Sequence, residues 1–234
     1  VVAGIEVAKE VFREVDRSLG LWSEVTDGTP FERGDVLLEI EGRTRSILSA
    51  ERTALNFLQR LSGIATNTRT YVNGVKPYNV KVLDTRKTTP GWRLLEKEAV
   101  KAGGGTNHRI GLYDQVMVKD NHLMACGKLE ALQAAIDRVN EERPGVKVQL
   151  EAATLDQLAE FLTLRGVDMI LLDNMSIEQQ RAAVAATNGR VFLEASGGIT
   201  LDTINAVAST GVDAISVGAL THSSKAVDLS LDVE

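Results

Sequence analysis

The chain has 234 residues, a length that fits one α/β barrel of ordinary size or a trimmed barrel with a small second domain. Lys and Arg total 26 and Asp and Glu total 32, so the formal net charge is −6. An acidic chain is a poor candidate for binding nucleic acid or an anionic membrane surface. The single cysteine, Cys126, excludes an internal disulfide and is typical of a reducing, cytoplasmic compartment.

Two further classes are disfavoured by composition. One cysteine and three histidines argue against a structural zinc site. No apolar run reaches the ~18 residues of a membrane span, and no secretory leader is visible. The chain begins with Val1 rather than Met, so we expect part of its first domain to be missing.

The first part of the chain predicts a small α+β domain, remaining over residues 1–48. Valines at helical spacing predict a helix over residues 7–15. A turn cluster follows at 26–30, and residues 35–42 predict a short strand closed by Gly42. A long helix comes next, with Ser49 as its expected cap, because leucines recur at three- and four-residue steps from Leu55.

From residue 80 onward, short apolar strands alternate with amphipathic helices. Strands are predicted at 80–84, 115–119, 146–151, 168–173, 191–194 and 213–218, and helices at 128–139, 155–164, 177–186 and 201–209. Two helices begin with capping boxes, at Thr154 and Ser176. The alternation implies a parallel sheet covered by helices, and its regular repeat of about 22 residues favours a closed barrel. The sequence has no G-x-G-x-x-G turn after a first strand, which weakens the alternative of an open, doubly wound sheet.

In a barrel, the site lies in the loops that follow the strands, and cations collect there in this sequence. Five of them lie at predicted strand ends or in adjoining loops: Arg86, Lys87, His108, Arg109 and Lys119. Cations that converge on one mouth repel one another unless an anion is bound. Since arginine grips a carboxylate or phosphate through two parallel hydrogen bonds, we expect a substrate with several negative groups.

Glycines and carboxylates complete this set. Ser196, Gly197 and Gly198 stand between a strand and a helix, and Gly218 ends the next strand, which predicts a phosphate site or a plain turn. Glu151 and Asp173 lie at the ends of neighbouring strands. There they could act as acid and base, bind Mg²⁺, accept hydrogen bonds from sugar hydroxyls, or simply pair with basic neighbours.

Four other side chains stay open or are set aside. Glu194 either braces the Ser196 loop or pairs with a basic neighbour. His122 and His222 could act as bases, although a lone histidine at the end of an element is more often structural. Cys126 has no base beside it and is interpreted as inert.

Together these residues resemble quinolinate phosphoribosyltransferase, also called carboxylating nicotinate-nucleotide pyrophosphorylase. The matching runs occur in family order and cover nearly the whole chain, so the set is specific although no single run is. They are residues 51–56 (ERTALN), 61–66 (LSGIAT), 84–88 (DTRKT), 103–105 (GGG), 107–109 (NHR), 119–122 (KDNH), 172–174 (LDN), 196–198 (SGG) and 218–222 (GALTH).

The resemblance implies transfer of phosphoribosyl from phosphoribosyl pyrophosphate to quinolinate with loss of CO₂, which gives nicotinate mononucleotide and pyrophosphate and requires Mg²⁺. It implies an N-terminal α/β sandwich, an incomplete parallel (β/α) barrel over 49–221, and a C-terminal segment, 222–234, that returns to the first domain. It also implies a cytoplasmic homodimer or larger oligomer.

Residue roles follow from the same motifs. Arg52 would be supplied across the subunit interface, and the residues that hold the quinolinate carboxylates would be Arg86, His108, Arg109 and Lys119. Lys87, Glu151 and Asp173 would be catalytic, with the two acids at the Mg²⁺. The phosphoribosyl pyrophosphate set would be Lys87, Glu151, Asp173, Ser196, Gly197, Gly198, Gly218 and His222. Ala153 departs from the family, which usually has an acid there, and we expect a local effect.

Three rival functions stay open from the residues. Lys87 or Lys119 at a strand end could form the Schiff base of an aldolase. A non-catalytic sugar-phosphate sensor would not need Glu151 and Asp173. A paralogous phosphoribosyltransferase could use nicotinate or another base, and the four residues predicted to bind a dicarboxylate favour quinolinate instead.

Overall fold

A computed structural model describes residues 1–119 and 129–233 of the chain. In chain order the described elements are α1 (Ile5–Val15), β1 (Gly20–Trp22), β2 (Glu39–Glu41), α2 (Thr44–Gly74), β3 (Lys81–Leu83), α3 (Arg93–Ala102), β4 (Gln115–Val118), α4 (Leu129–Glu142), β5 (Lys147–Ala152), α5 (Leu155–Phe161), β6 (Met169–Asp173), α6 (Ile177–Thr187), β7 (Phe192–Ser196), α7 (Leu201–Ala208), β8 (Ala214–Ser216) and α8 (Ala219–His222).

The chain forms two compact units, and each is discontinuous in sequence. The first contains residues 1–72, 87–107 and 218 onward, and the second contains residues 73–86 and 108–217. No helix within the described ranges is long and apolar enough to cross a bilayer, the 31-residue α2 included.

The first unit is organised around α1 and the N-terminal half of α2. The Asp27 carboxylate accepts hydrogen bonds from the backbone N–H groups of Gly4 and Ile5 at 2.8 and 3.1 Å, which caps α1 from a distance. Ile5, Ala8 and Phe12 recur on one face of α1 and are buried in a core that α2 completes. The antiparallel pair β1–β2 is short, because β2 forms only at the end of the predicted 35–42 strand.

The predicted start of the long helix is wrong. α2 begins at Thr44, and Ser49 lies within its first turns instead of capping it. The Ser49 hydroxyl donates to the carbonyl of Arg45 at 2.7 Å, one turn back, which is a common bond for a serine inside a helix. At the other end of the chain, Leu229 and Leu231 pack against the N-terminal core, and Gln59 donates to the Leu229 carbonyl at 2.8 Å.

The second unit is a six-stranded parallel sheet with the order β3-β8-β7-β6-β5-β4, and all six predicted strands are present. Helices connect the successive strands from β5 to β8, and the capping boxes at Thr154 and Ser176 are both formed. Among the described residues, β3 and β4 are sheet edges, so the barrel is incomplete and the expectation of a closed barrel is wrong. The incomplete barrel with a small N-terminal unit agrees with the resemblance.

Candidate active site

Strand register places the functional side chains of the second unit on one face of the sheet. Glu151 pairs in register with Leu171, and Leu171 pairs with Glu194, so these three residues form one row across β5, β6 and β7. Asp173 and Ser196 pair two residues further along the same strands. Because alternate residues of a strand share a face, both carboxylates of the predicted pair lie on the face that carries Glu194.

A closed circuit of contacts lies among the buried residues on this face, and we call it the polar ring. His108 Nε2 lies 3.1 Å from Glu194 Oε2, which also accepts from Gln149 at 2.7 Å. Gln149 accepts from Gln115 at 2.7 Å, and the Gln115 carbonyl accepts from Arg109 Nη1 at 3.3 Å. The backbone N–H of Arg109 donates to His108 Nδ1 at 2.7 Å, which closes the ring.

Within this ring, Arg109 is a buried cation without a carboxylate partner in the described part of the chain. The residue is 8% exposed, and among the residues that the structure describes its guanidinium donates only to the Gln115 carbonyl and to Met117 Sδ, at 3.3 and 3.4 Å. Burial lowers the pKa of Arg109, and the nearby Arg86 lowers it further, although Asp114 and Glu194 partly offset both effects. A guanidinium has five N–H donors, so this group is prepared to receive an anion.

Glu194 is the anionic member of the ring and is fully buried. Burial alone would raise the pKa of Glu194, but the hydrogen bond and attraction of His108, with smaller contributions from Ser216 and Gln149, outweigh it and lower that pKa. Its Oε1 oxygen meets no hydrogen-bond partner within the described residues. Pairing with a basic neighbour was one of the two predicted roles for this residue, and the structure supports it.

The remaining charged residues of this face form a half-exposed group. Lys119 Nζ lies 3.5 Å from Glu151 Oε2, and their side chains are 48% and 14% exposed. Asp173 accepts from the Asn174 amide at 2.9 Å and is partly buried. Glu151 and Asp173 therefore remain accessible on adjacent strands, and the alternative that an acid merely pairs with a basic neighbour applies in part to Glu151.

The Ser196–Gly198 loop requires glycine for two different reasons. Gly197 has φ 103°, and a Cβ there would collide with the Asn174 side chain. Gly198 has φ 58°, and nothing among the described residues lies within 4 Å of the position of its Cβ. The loop thus presents an open stretch of backbone just before α7, as a phosphate-binding loop does.

The first unit holds the other predicted phosphate ligands in a cluster of its own. A Cβ on Gly218 would lie 3.1 Å from both Lys87 Cδ and His222 Nε2, so these three residues are neighbours. The Thr221 hydroxyl donates to the Lys87 carbonyl at 2.7 Å. A cation, a histidine and a bare backbone position suit a phosphate group.

Arg60 and Glu96 support this cluster from inside the first unit. Arg60 donates to the carbonyls of Ser224 and Thr221 at 2.9 and 2.6 Å, and to the buried Glu96 carboxylate at 3.0 Å. Glu96 also accepts from the N–H and hydroxyl of Thr89. This network fixes the 87–97 and 218–224 segments of the first unit relative to each other.

Arg52 lies on an exposed stretch of α2, in the same unit. Its side chain is 71% exposed and lies 4.0 Å from the adjacent Glu51 carboxylate. An apolar groove of about 410 Å³ runs beside it, lined in part by Val7, Val11, Ala50 and Phe57. Ser49 and Thr53, on either side of Arg52 along the helix, line the same groove.

The structure therefore brings the predicted residues together as two groups. In the second unit they are Arg86, His108, Arg109, Lys119, Glu151, Asp173, Ser196, Gly197 and Gly198, and in the first they are Lys87, Gly218 and His222. Asp120, Asn121, His122 and Cys126 lie outside the described residues. Sequence reasoning missed Gln115 and Gln149, because a buried glutamine on a strand has no local signal. The Gly103–Gly105 run packs against Ala65 and Thr68 of α2.

Comparison with known proteins gives one family. Family models for the quinolinate phosphoribosyl transferase N-terminal and C-terminal domains match residues 1–62 and 64–232. The chain is 44% identical to a probable carboxylating nicotinate-nucleotide pyrophosphorylase of Bacillus subtilis, with all of the chain and 80% of the relative covered. It is 41% identical to a decarboxylating quinolinate phosphoribosyltransferase of Nicotiana glauca, with all of the chain and 71% of the relative covered.

Solved structures agree with this result. The crystal structure of NadC from Streptococcus pyogenes superposes with a TM-score of 0.93 at 43% identity and covers all of this chain and 81% of its own. The nicotinate-nucleotide pyrophosphorylase of Francisella tularensis gives 0.91 at 41% identity, over 98% and 80% of the two chains. The chain belongs to the quinolinate phosphoribosyltransferase family.

Proposed function

We propose that this chain transfers the phosphoribosyl group of phosphoribosyl pyrophosphate to quinolinate with loss of CO₂, giving nicotinate mononucleotide and pyrophosphate for NAD biosynthesis. The observation that carries the proposal is Arg109, a residue that is 8% exposed and whose guanidinium has no carboxylate partner within the described residues. Because an unpaired buried charge is costly, the site is built for a substrate carboxylate.

The substrate is a dicarboxylate, since the site has more basic side chains than one carboxylate can pair with. Arg86 lies close enough to Arg109 to lower its pKa, and Lys119 lies on the same side of the sheet next to Glu151. Each arginine can hold a carboxylate through two hydrogen bonds. Quinolinate has two adjacent carboxylates and so matches this set better than nicotinate, which has one.

The phosphoribosyl pyrophosphate is held by backbone and by a separate group of side chains. The Ser196–Gly198 loop offers open backbone in the second unit, and Lys87, Gly218 and His222 cluster in the first. Glu151 and Asp173 accept hydrogen bonds from ribose hydroxyls.

Magnesium fits Glu151 and Asp173 only as a metal shared with substrate. No group of three or more metal-binding side chains occurs among the residues described. Mg²⁺ is commonly bound through one or two carboxylates together with substrate phosphates and water, and two accessible acids on adjacent strands meet that need. When bound, the ion supplies charge neutralisation on the pyrophosphate.

The reaction requires positioning more than proton transfer. The bond from ribose C1 to pyrophosphate breaks toward an oxocarbenium-like state, Lys87 stabilises the leaving pyrophosphate, and the pyridine nitrogen attacks C1. Arg86, Arg109 and Lys119 hold the pyridine of quinolinate so that its nitrogen is aligned with ribose C1. This positioning makes the largest contribution to the rate. Once the nitrogen is cationic, it stabilises the carbanion that is left on ring carbon 2 when the adjacent carboxylate departs as CO₂. That carbon then takes up a proton from water, so no catalytic base is needed to start the step.

Arg52 acts in the site of a second subunit of a homodimer or larger oligomer. Arg52 is exposed, and along α2 it stands between Ser49 and Thr53, which both line the apolar groove of the first unit. Mixing Arg52→Ala with Arg86→Ala subunits then restores part of the activity, because one site per dimer recovers both arginines. If no mixed dimer regains activity, Arg52 does not act across the interface.

The enzyme works in the cytoplasm, which the single cysteine supports because it is typical of a reducing compartment.

Product analysis tests the function and separates it from the paralogous reaction. The chain is incubated with phosphoribosyl pyrophosphate and Mg²⁺, with either quinolinate or nicotinate as acceptor, and the nucleotide formed is measured by mass spectrometry. We expect nicotinate mononucleotide from quinolinate and little product from nicotinate. Comparable turnover of nicotinate would make this chain a paralogue of different specificity.

A further inference from the structure

Both ring nitrogens of His108 are already used inside the protein. Nδ1 accepts the backbone N–H of Arg109 at 2.7 Å, so the proton is on Nε2, which donates to Glu194 Oε2 at 3.1 Å. The backbone N–H of His108 donates to Asp84 at 2.7 Å. The imidazole is 7% exposed. In this arrangement, the His108 imidazole holds the Arg109 backbone in place and has no N–H left for a substrate carboxylate.

The polar ring connects Glu194 to both ends of Arg109. In one direction, Glu194 fixes the His108 ring that accepts the Arg109 backbone N–H. In the other, it accepts from Gln149, which in turn accepts from Gln115, whose carbonyl accepts from the Arg109 guanidinium. Since every member of the polar ring is buried or nearly so, a change at Glu194 is transmitted through packed hydrogen bonds rather than through solvent.

We infer that Glu194 is a positioning residue for quinolinate, which fixes through His108 and Gln149 the orientation in which Arg109 meets a substrate carboxylate. This inference rests on the proposed function. On this inference, a buried carboxylate that would not itself touch the substrate affects the binding of quinolinate but not that of phosphoribosyl pyrophosphate.

Electrostatics alone predicts the opposite result, which makes the inference testable. Glu194 is a negative charge near a site for a dianion, and its attraction of Arg109 is visible in the pKa of that arginine. If charge were its only effect, removing Glu194 would strengthen quinolinate binding. If positioning dominates, removing it weakens quinolinate binding and leaves phosphoribosyl pyrophosphate binding unchanged.

The experiment measures the dissociation constant and KM of each substrate for the full chain and for Glu194→Ala, Glu194→Gln, His108→Ala and the Glu194→Ala/His108→Ala double variant. We expect Glu194→Ala to weaken quinolinate binding by about tenfold or more, because two buried donors lose their acceptor. The change in phosphoribosyl pyrophosphate binding should stay within about threefold. Glu194→Gln should recover most of the loss, since one amide oxygen can accept from both His108 and Gln149.

The double variant shows whether Glu194 acts through His108. Adding Glu194→Ala to His108→Ala should change quinolinate affinity little beyond the single change, because the main path is already broken. Ile136→Ala, in α4 of the same unit, is the control for lost stability alone and should leave the ratio of the two affinities unchanged. Unchanged or tighter quinolinate binding in Glu194→Ala, equal weakening of both substrates, or additive effects would overturn the inference.

A second variant covers the case in which Glu194→Ala does not fold. Gln149→Met keeps the side-chain volume and breaks the ring between Glu194 and Gln115, so it should weaken quinolinate binding selectively by about threefold. No selective loss in Gln149→Met would then overturn the inference. A wild-type chain that makes no nicotinate mononucleotide, while still binding both substrates, would refute the proposed function and leave the binding comparison intact.

Discussion

Replacing Arg109 with methionine separates the binding role of this side chain from any structural role. Methionine fills much of the same volume without charge, and the residue it replaces is 8% exposed. Its loss removes a guanidinium whose N–H groups meet only the Gln115 carbonyl and the Met117 sulfur within the described residues. The variant should therefore fold as well as the wild type and lose affinity for quinolinate.

The size of the effect follows from these contacts. A hydrogen bond to a charged group contributes about 1.5 to 3 kcal/mol, and a bidentate carboxylate pair has two of them. We expect a loss of about 3 kcal/mol in quinolinate binding, which is a factor of about 150. The free energy of unfolding of the unliganded chain should stay within about 1 kcal/mol or rise, because a buried cation beside Arg86 is removed for the cost of two long hydrogen bonds.

Calorimetric titration with each substrate and urea unfolding measure these quantities. Arg165→Met is the matched control, because Arg165 lies in the same unit with a side chain that is 83% exposed. Equal weakening of quinolinate and phosphoribosyl pyrophosphate would show that Arg109 supports the whole site. A loss of several kcal/mol in stability would show that it holds the fold, and either result would refute the reasoning.

Three further predictions concern stability and pH. Gly197→Ala should cost about 2 to 4 kcal/mol in urea unfolding, because it combines a positive φ with a collision at Asn174, whereas Gly189→Ala, with φ 71° and open space, should cost about 1 kcal/mol; equal costs would remove the collision argument. Arg60→Ala should cost about 3 kcal/mol, because it strips a partner from the buried Glu96, and a neutral effect would show that Thr89 alone satisfies that carboxylate. Hydrogen bonds from Ser18 and Ser46 lower the pKa of Asp16 from 3.8 to about 2, so the stability they give is full above pH 3.8 and is lost as the pH falls toward 2. Asp16→Asn should therefore unfold at lower temperature than wild type at pH 6, with a gap that narrows below pH 4; a constant gap would contradict the pKa shift.

Local patterns were sufficient for most of the second unit. Apolar runs predicted all six strands of the sheet, and Thr154 and Ser176 cap their helices as expected, because a strand or a cap depends on neighbouring residues. The start of α2 was missed because Ser49 has the chemistry of a cap, and only the structure shows that its hydroxyl bonds inside the helix. Whether the sheet closes depends on contacts between distant strands, so the closed barrel could not be tested locally.

The site shows the same division. Cations at strand ends were predicted because the ends of parallel strands share an edge, and Arg86, Arg109 and Lys119 do lie in one unit with Glu151. Gln115 and Gln149 could not be predicted, because their role depends on strand register and on the buried Glu194, which lies two strands from Gln149 and three from Gln115. Glu194 carried two alternatives in the sequence, and only its distance to His108 decided between them.

Release of CO₂ from quinolinate is a direct measure of the proposed reaction. The assay uses quinolinate labelled at the carboxyl of ring position 2 and measures labelled CO₂ with and without phosphoribosyl pyrophosphate. We expect release that requires phosphoribosyl pyrophosphate, equals the nicotinate mononucleotide formed, and falls at least about a hundredfold in Arg109→Met at low quinolinate concentration. Release without phosphoribosyl pyrophosphate, or no release while both substrates bind, would contradict the account.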